Sequence, residues 1–363
     1  AAPGDKVIQN APFLQPMLVP AEKLAPCQLS CRLENITERR LADRSAFCDR
    51  CGGVIAVRKC EVRTEPEPDV PGFGFRGRCG LRRRPMPGAL WADAPGSHEE
   101  SGIMHILITG GAGFIGSNLV EYHVGRGDQV HVVDDLSTGA EANLAQFAGN
   151  TALRFDKADV LTWDGLDKAV GWADRVYHMA AVVGVFKVLE EPIKVLATNV
   201  AGCERVLRAA HAGKWMPQVV LASTSEVYGT GVHCRRMAHD DAAEAGGTCA
   251  ASDPDAIPPF SEDMEPLVGS SAVSRWNYSI SKLVDEAFDL SYARKYGMKV
   301  VVIRFFNTIG PRQTGRYGMV VPRFVRQAVT GEPLTVYGAG TQSRCFCDVR
   351  DTVAAMDRLS SNP

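Results

Sequence analysis

Tyr278 and Lys282 stand four residues apart in the run Tyr278-Ser279-Ile280-Ser281-Lys282. On a helix, positions i and i+4 share a face, so the phenol and the ammonium point the same way. A cation beside a phenol favours the phenolate, and an oxidised nicotinamide adds to that pull. Such a phenolate can take the proton of a sugar hydroxyl while the carbon beneath is oxidised by the nicotinamide. Upstream, Ala222-Ser223-Thr224-Ser225-Glu226-Val227-Tyr228-Gly229 closes an apolar run that reads as a strand. Carboxyl ends of parallel strands face the ligand crevice of α/β folds. There the Thr224 hydroxyl can share the reacting proton, and Glu226 can place a carboxylate near the same ring. Thr224, Glu226, Tyr278 and Lys282 are the candidate catalytic residues.

A second constellation lies nearer the middle of the chain. The run His105-Ile106-Leu107-Ile108-Thr109 reads as a buried parallel strand and leads into Gly110-Gly111-Ala112-Gly113-Phe114-Ile115-Gly116. Glycines let the backbone turn sharply and approach a pyrophosphate, which then rests on the N-terminus of the next helix. Gly110, Gly113, Phe114, Ile115 and Gly116 are the candidate phosphate cradle. A second strand, Gln129-Val130-His131-Val132-Val133, ends at Asp134, 18 residues past Gly116. A carboxylate there accepts both hydroxyls of an adenosine ribose and repels a 2′-phosphate, so NAD is expected over NADP. Asp159 and Val160 follow the third strand, a position that edges the adenine pocket in a doubly wound sheet, so Asp159 is a candidate adenine contact, with a solvated loop carboxylate as the alternative. His178 ends the fourth strand and reads as a hydrogen-bonded structural histidine.

These residues need a scaffold, and the pattern from Met104 onward supplies one. Strands are expected at 104–109, 129–133, 152–157, 174–178, 217–223 and 299–304, with a short one near 333–336. Helices are expected at 114–125, 190–212, 276–296 and 319–330. Strand–helix alternation of this kind predicts an α/β fold, a Rossmann doubly wound parallel sheet covered on both faces. Residues 1–103 differ. They hold 11 of the 21 prolines and 6 of the 11 cysteines, with no sustained period of 2 or 3.6. We read them as an irregular or disordered leader and residues 104–363 as the NAD-binding unit. Cys27, Cys31, Cys48 and Cys51 have a spacing that can hold zinc, yet Cys60 and Cys79 fit no second site; the leader reading takes precedence and no metal is expected. Met104, directly before the first strand, suits a native start. The stretch 231–259 is polar and rich in small residues, and it reads as a surface loop.

Composition narrows the class. Of the 363 residues, 45% are hydrophobic and 23% charged, and 40 Lys+Arg face 42 Asp+Glu for a formal charge of -2. This balance leaves no footprint for nucleic acid or an anionic membrane surface. The longest apolar runs are far shorter than the ~20 residues of a membrane span. Without an export signal, reduced thiols and a cytoplasmic location are expected.

The motifs together carry a resemblance. T-G-G-A-G-F-I-G, V-V-D-D-L-S, S-T-S-E-V-Y-G, Y-S-I-S-K, R-F-F-N-T-I-G-P-R and P-L-T-V-Y-G-A-G-T-Q-S-R-C-F cover residues 104–363. That segment resembles the extended short-chain dehydrogenase/reductases of the NAD-dependent epimerase/dehydratase family, which act on nucleotide sugars. The resemblance implies tightly held NAD, with Tyr278 and Lys282 also touching it. It implies Thr224, Tyr278 and Lys282 as the catalytic set, and Ser225, Asn307 and Arg344 on the substrate side. It further implies an incomplete smaller lobe from about 231–275 and 307–363, a UDP-sugar substrate, and a homodimer through the two long helices. Family members share oxidation at C4 of the sugar and then diverge. A 4,6-dehydratase carries Thr-Asp-Glu, and Ser225 replaces that Asp here. The Thr224-Ser225-Glu226 triplet and the segment Ser274-Arg275-Trp276-Asn277-Tyr278 are similar to UDP-glucuronate decarboxylases; Leu283, where many of these carry Arg, departs from them. UDP-glucose 4-epimerase chemistry is the alternative, and a non-catalytic NAD sensor a remote third. The family runs on past 351–355, so the chain reads as a fragment, and 231–259 is longer than similar proteins carry.

Overall fold

The computed structural model describes residues 102–229, 260, 262, 264–316, 318–337, 340 and 344–361, together with two four-residue strands, Pro16–Val19 and Ala56–Lys59. The expected zinc cysteines, the rest of the leader and the 231–259 loop lie outside these residues.

Six parallel strands form the main sheet: β1 His105–Thr109, β2 Gln129–Asp134, β3 Leu153–Lys157, β4 Arg175–His178, β5 Gln218–Thr224 and β6 Val300–Phe305. Their spatial order is β3-β2-β1-β4-β5-β6, and Ala56–Lys59 adds antiparallel to β6. The order reverses between β1 and β4, which opens a crevice at the carboxyl ends of those two strands. Thr109 pairs with His178 across this switch point.

Alternation along each strand builds two cores, as a sheet buried on both faces requires. Ile106 and Ile108 face one side, with α1 (Phe114–Arg126) and α7 (Val349–Ser361) over them; Val353 and Met356 of α7 complete that layer. Leu107 and Val176 face the other side, under α2 (Leu166–Trp172), α4 (Pro192–Ala212) and α5 (Asn277–Tyr296). Outside the sheet lie α3 (Val185–Glu190), α6 (Val320–Thr330), the two-residue strands β7 (Thr308–Ile309) and β9 (Cys347–Asp348), which pair in parallel, and β8 (Leu334–Tyr337).

The expected helix over 190–212 starts at Pro192, with the separate α3 before it. Proline lacks an N–H and suits the first turn, where that donor has no partner, so it starts a new helix here. The short α2 and α3 were not expected, because six or seven residues show too little of a 3.6-residue period. Helix α7 falls in the stretch expected for the smaller lobe, yet it packs on the sheet.

A buried polar lock holds α7 there. Asp357 accepts from Arg175 at 3.0 Å and from Tyr122 at 3.1 Å, and Arg126 approaches it at 2.5 Å. Arg175 also donates to the Tyr177 hydroxyl at 3.1 Å. Removing one member strands a buried charge. Asp357→Ala should therefore cost about 3–5 kcal/mol in urea-unfolding stability, and a loss below about 1 kcal/mol would show that the lock contributes little.

Candidate active site

The glycine turn is held by its neighbours. Gly110 has φ +71°, a left-handed conformation that a side chain resists, and its N–H donates to the Val133 carbonyl at 2.8 Å. A Cβ on Gly116 would lie 2.2 Å from the Gly110 carbonyl oxygen, so α1 sits directly on the turn. Gly113 differs: a Cβ there would meet the Gly110 oxygen at 3.1 Å and no other heavy atom within 4 Å. Internal packing thus resists a side chain at 113 less than at 116, which leaves the backbone at 113 open to close approach. No side chain caps α1 at Gly113, so its first-turn amides and helix dipole remain for an anion.

Asp134 is buried at the tip of β2. Its Oδ2 accepts from the Ala112 amide at 2.9 Å and its Oδ1 from Leu136 at 2.8 Å, with Leu136 at φ +61°. Burial raises the carboxyl pKa, and the amides of Leu136, Ala112 and Gly113 counter it. Each oxygen keeps a second lone pair for a ribose hydroxyl. Glycine turn, uncapped helix and carboxylate fit the pyrophosphate and adenosine halves of a dinucleotide. Asp159 is exposed and its Oδ1 accepts from Leu161 at 2.8 Å, while the neighbouring Val160 is buried in the core.

His178 is fully enclosed. Thr109 Oγ1 lies 2.8 Å from its Nδ1 and accepts from the Ala180 amide at 3.3 Å. Burial first, then the Lys282 charge, push His178 down to about 3, and the ring is neutral. This ring braces the 178–180 turn, where the Ala180 nitrogen would lie 2.7 Å from a Cβ on Gly110.

Helix α5 carries Tyr278 in its first turn and Lys282 one turn later. Lys282 Nζ lies 3.2 Å from Asp285 Oδ2, and both residues are buried. Burial works against the ammonium, but Asp285, Tyr278 and Cys203 together carry its pKa above the ordinary value. Burial pushes the Tyr278 phenol up; the Lys282 charge and a hydrogen bond with Thr224 pull it down, and Glu226 and Asp285 push it up again. The net direction is upward, against the lowering expected from the sequence, because desolvating a phenolate outweighs one neighbouring cation. Thr224 Oγ1 accepts from the Glu226 amide at 3.2 Å, which leaves its own proton for Tyr278. Glu226 stands beside them, its pKa raised by burial and lowered by Arg275 at 3.8 Å. Glu226, Arg275 and Tyr278 line a cavity of about 80 Å³ with Val183, Gly184, Val188 and Met319. A larger hollow of about 250 Å³ lies at the far end of β2 and β3 against α2, away from every one of these residues. Ser225 follows Thr224 in the same turn.

Asn307 donates from Nδ2 to the Cys345 carbonyl at 3.0 Å, which brings it beside the exposed Arg344. Sequence reasoning missed three neighbours. Asn199 of α4 accepts from Val182 at 2.7 Å and donates to Ser281 at 3.1 Å, tying the cavity wall to α5. Arg304 forks onto Glu286 at 2.9 and 2.7 Å and donates to Tyr228 at 2.8 Å, which anchors α5 to β6. Arg312, at φ +68°, bridges Ser117 and Glu121 of α1. Polar residues at otherwise buried positions of a helix or strand were the available signal for the first two.

The chain compares as follows with known proteins. The model of the NAD dependent epimerase/dehydratase family matches residues 106–363. A UDP-N-acetyl-alpha-D-glucosaminuronate decarboxylase from Bacillus cytotoxicus is 40% identical over 256 residues, 69% of this chain and 70% of the relative. UDP-glucuronic acid decarboxylase 1 from Arabidopsis thaliana is 33% identical over 259 residues, 71% of this chain and 52% of the relative. The chain thus spans about half the length of that plant protein. A UDP-glucuronic acid 4-epimerase from Bacillus cereus, solved with UDP-glucuronic acid and NAD, is 27% identical with a TM-score of 0.58, covering 72% of this chain and 74% of the other.

The two glycines separate packing from binding. Gly116→Ala should lower unfolding stability by roughly 1–3 kcal/mol, because backbone must move. Gly113→Ala should lose less stability than Gly116→Ala yet lose NAD affinity at least about tenfold in a titration. Undiminished NAD binding in Gly113→Ala would contradict the cradle.

Proposed function

The chain belongs to the NAD dependent epimerase/dehydratase family, and from that premise we propose that it decarboxylates a UDP-hexuronate through a 4-keto sugar. Tyr278 is the base, Thr224 shares its proton, Lys282 supplies the charge that favours the phenolate, and Glu226 serves the later steps at the ring. Ser225, Asn307 and Arg344 hold the substrate. Gly110, Gly113, Phe114, Ile115, Gly116, Asp134, Asp159 and Val160, with Tyr278 and Lys282, hold the dinucleotide.

Bound NAD supplies the two-electron oxidant at C4 and returns the electrons at the end, so the cycle is redox-neutral. Tyr278 removes the proton of the C4 hydroxyl. With a ketone at C4, the C6 carboxylate is β to a carbonyl. The C5–C6 bond then breaks, CO2 leaves, and its electron pair is held as an enolate across C4 and C5. A proton drawn from solvent adds at C5, reduction at C4 gives the UDP-pentose, and Tyr278 returns its proton to the C4 oxygen.

One observation carries this reading: Glu226 stands in the cavity beside Tyr278, in a Thr-Ser-Glu turn without the aspartate of a dehydratase. The likeness to the Bacillus cytotoxicus decarboxylase supports it and adds UDP-N-acetylglucosaminuronate to UDP-glucuronate as a substrate to offer. A 4-epimerase is the second reading, supported by the likeness to the Bacillus cereus 4-epimerase. We extend the proposal to a cytoplasmic homodimer through α4 and α5. No helix among the described residues is long and apolar enough to cross a membrane, and Ile193 of α4 and Val284 of α5 stand exposed.

Incubation with each UDP-uronate should release CO2 and form the UDP-pentose. A UDP-galacturonate-type epimer with no CO2 would select the second reading. Tyr278→Phe should keep NAD while kcat falls at least about a hundredfold; unchanged turnover would reject the assignment. Activity should rise with pH as the phenol ionises. Lys282 pulls the Tyr278 pKa down, so Lys282→Met should move that rising limb of kcat/KM to higher pH, and an unmoved limb would count against Lys282.

A further inference from the structure

The cavity that holds Tyr278 also holds a cation with no task in the scheme above. Arg275 belongs to the one-turn segment Ser274–Trp276 that leads into α5. Its guanidinium lies 5.7 Å from the centre of the Trp276 ring, which gives it a face to rest on. Its Nη1 stands 3.8 Å from Glu226 Oε2, close enough for charge attraction and too long for a hydrogen bond. Among the described residues no hydrogen bond engages this guanidinium, and its side chain is 53% exposed at the cavity mouth. The planar fork is thus held in place but unspent, and it matches a carboxylate with two parallel N–H donors.

The chemistry of the sugar says which carboxylate. C6 hangs from C5, directly beside the C4 whose hydroxyl must meet Tyr278 and Thr224. Any group that reads C6 therefore lines the same cavity as Tyr278. Val183, Gly184, Val188 and Met319 offer apolar surface, and Glu226 repels an anion. Arg275 is the one cation among the described residues lining it. We propose that Arg275 reads the C6 carboxylate, exchanging its loose pairing with Glu226 for the substrate, and thereby selects hexuronates over neutral hexoses. This inference rests on reading the site as one for UDP-hexuronates. It makes Arg275 a specificity-determining residue, which touches substrate without taking part in proton transfer at C4.

The test compares equilibrium binding of UDP-glucuronate and UDP-glucose to the purified, NAD-loaded protein and to Arg275→Gln and Arg275→Lys. The wild type should prefer the uronate. Arg275→Gln should lose about tenfold or more in uronate affinity while UDP-glucose changes less than about twofold, and Arg275→Lys should recover part of the loss. Three results would overturn the inference: a wild type with no preference, an unchanged affinity ratio in Arg275→Gln, or an equal fall for both sugars, which would mark a structural role. Product analysis keeps this separate from the reaction itself. CO2 release with an unchanged ratio in Arg275→Gln removes Arg275 alone. An Arg275-dependent preference without CO2 release removes the decarboxylase reading and leaves Arg275 in place.

Discussion

The buried ion pair between Lys282 and Asp285, at 3.2 Å inside α5, is the constraint from which the active region is built. An ammonium that is 1% exposed is costly unless an anion neutralises it, and Asp285 does so within one helical turn. The pair keeps a positive charge fixed one turn below Tyr278, where it favours the phenolate over the phenol. Asp289 lies on the same face, fully buried, with neither carboxyl oxygen bonded within the described protein. Burial and the nearby Asp285 push its pKa well up, which disfavours a second negative charge there. Glu286, the next acid on the face, is spent on Arg304.

Around this pair the scaffold removes freedom from the groups proposed to meet the sugar. Asn199 ties the 182 turn to α5, and Arg304 ties α5 to the end of β6. The neutral His178 ring and Thr109 hold the turn that faces the glycine cradle. The candidate site therefore lies where the strand order reverses, with the proposed dinucleotide groups on the β1–β2 side and the proposed acid–base groups at the end of β5 and the start of α5. Prearranged donors and acceptors of this kind carry much of a catalyst's advantage, since they need little reorganisation during reaction.

Much of this was legible in the sequence because the signals are local. Glycine spacing, the strand ending at Asp134 and the Tyr278–Lys282 interval each depend on a few consecutive residues, and all six parallel strands fall within a residue or two of expectation. What escaped depends on partners distant in the chain. Asp357 meets Arg175 across 182 positions, and Asn199 meets Ser281 across 82; residue type alone gives no hint of either. The burial of Tyr278 escapes for a related reason. Spacing reveals the nearby lysine but not the burial that outweighs it. In the sequence Arg275 stands out only as part of a similar segment, since its place beside Glu226 requires the β5 turn and the start of α5 to be brought together.

The central claim is that chemistry begins and ends at C4 of the sugar, beside the Tyr278 phenol. The most direct test supplies the UDP-uronate with deuterium at C4 and follows rate and product by NMR. The account predicts slower turnover than with hydrogen and a UDP-pentose that keeps its deuterium at C4. Product in which that deuterium has exchanged with solvent, or CO2 loss with no dependence on the label at C4 even in single-turnover rates, would contradict it.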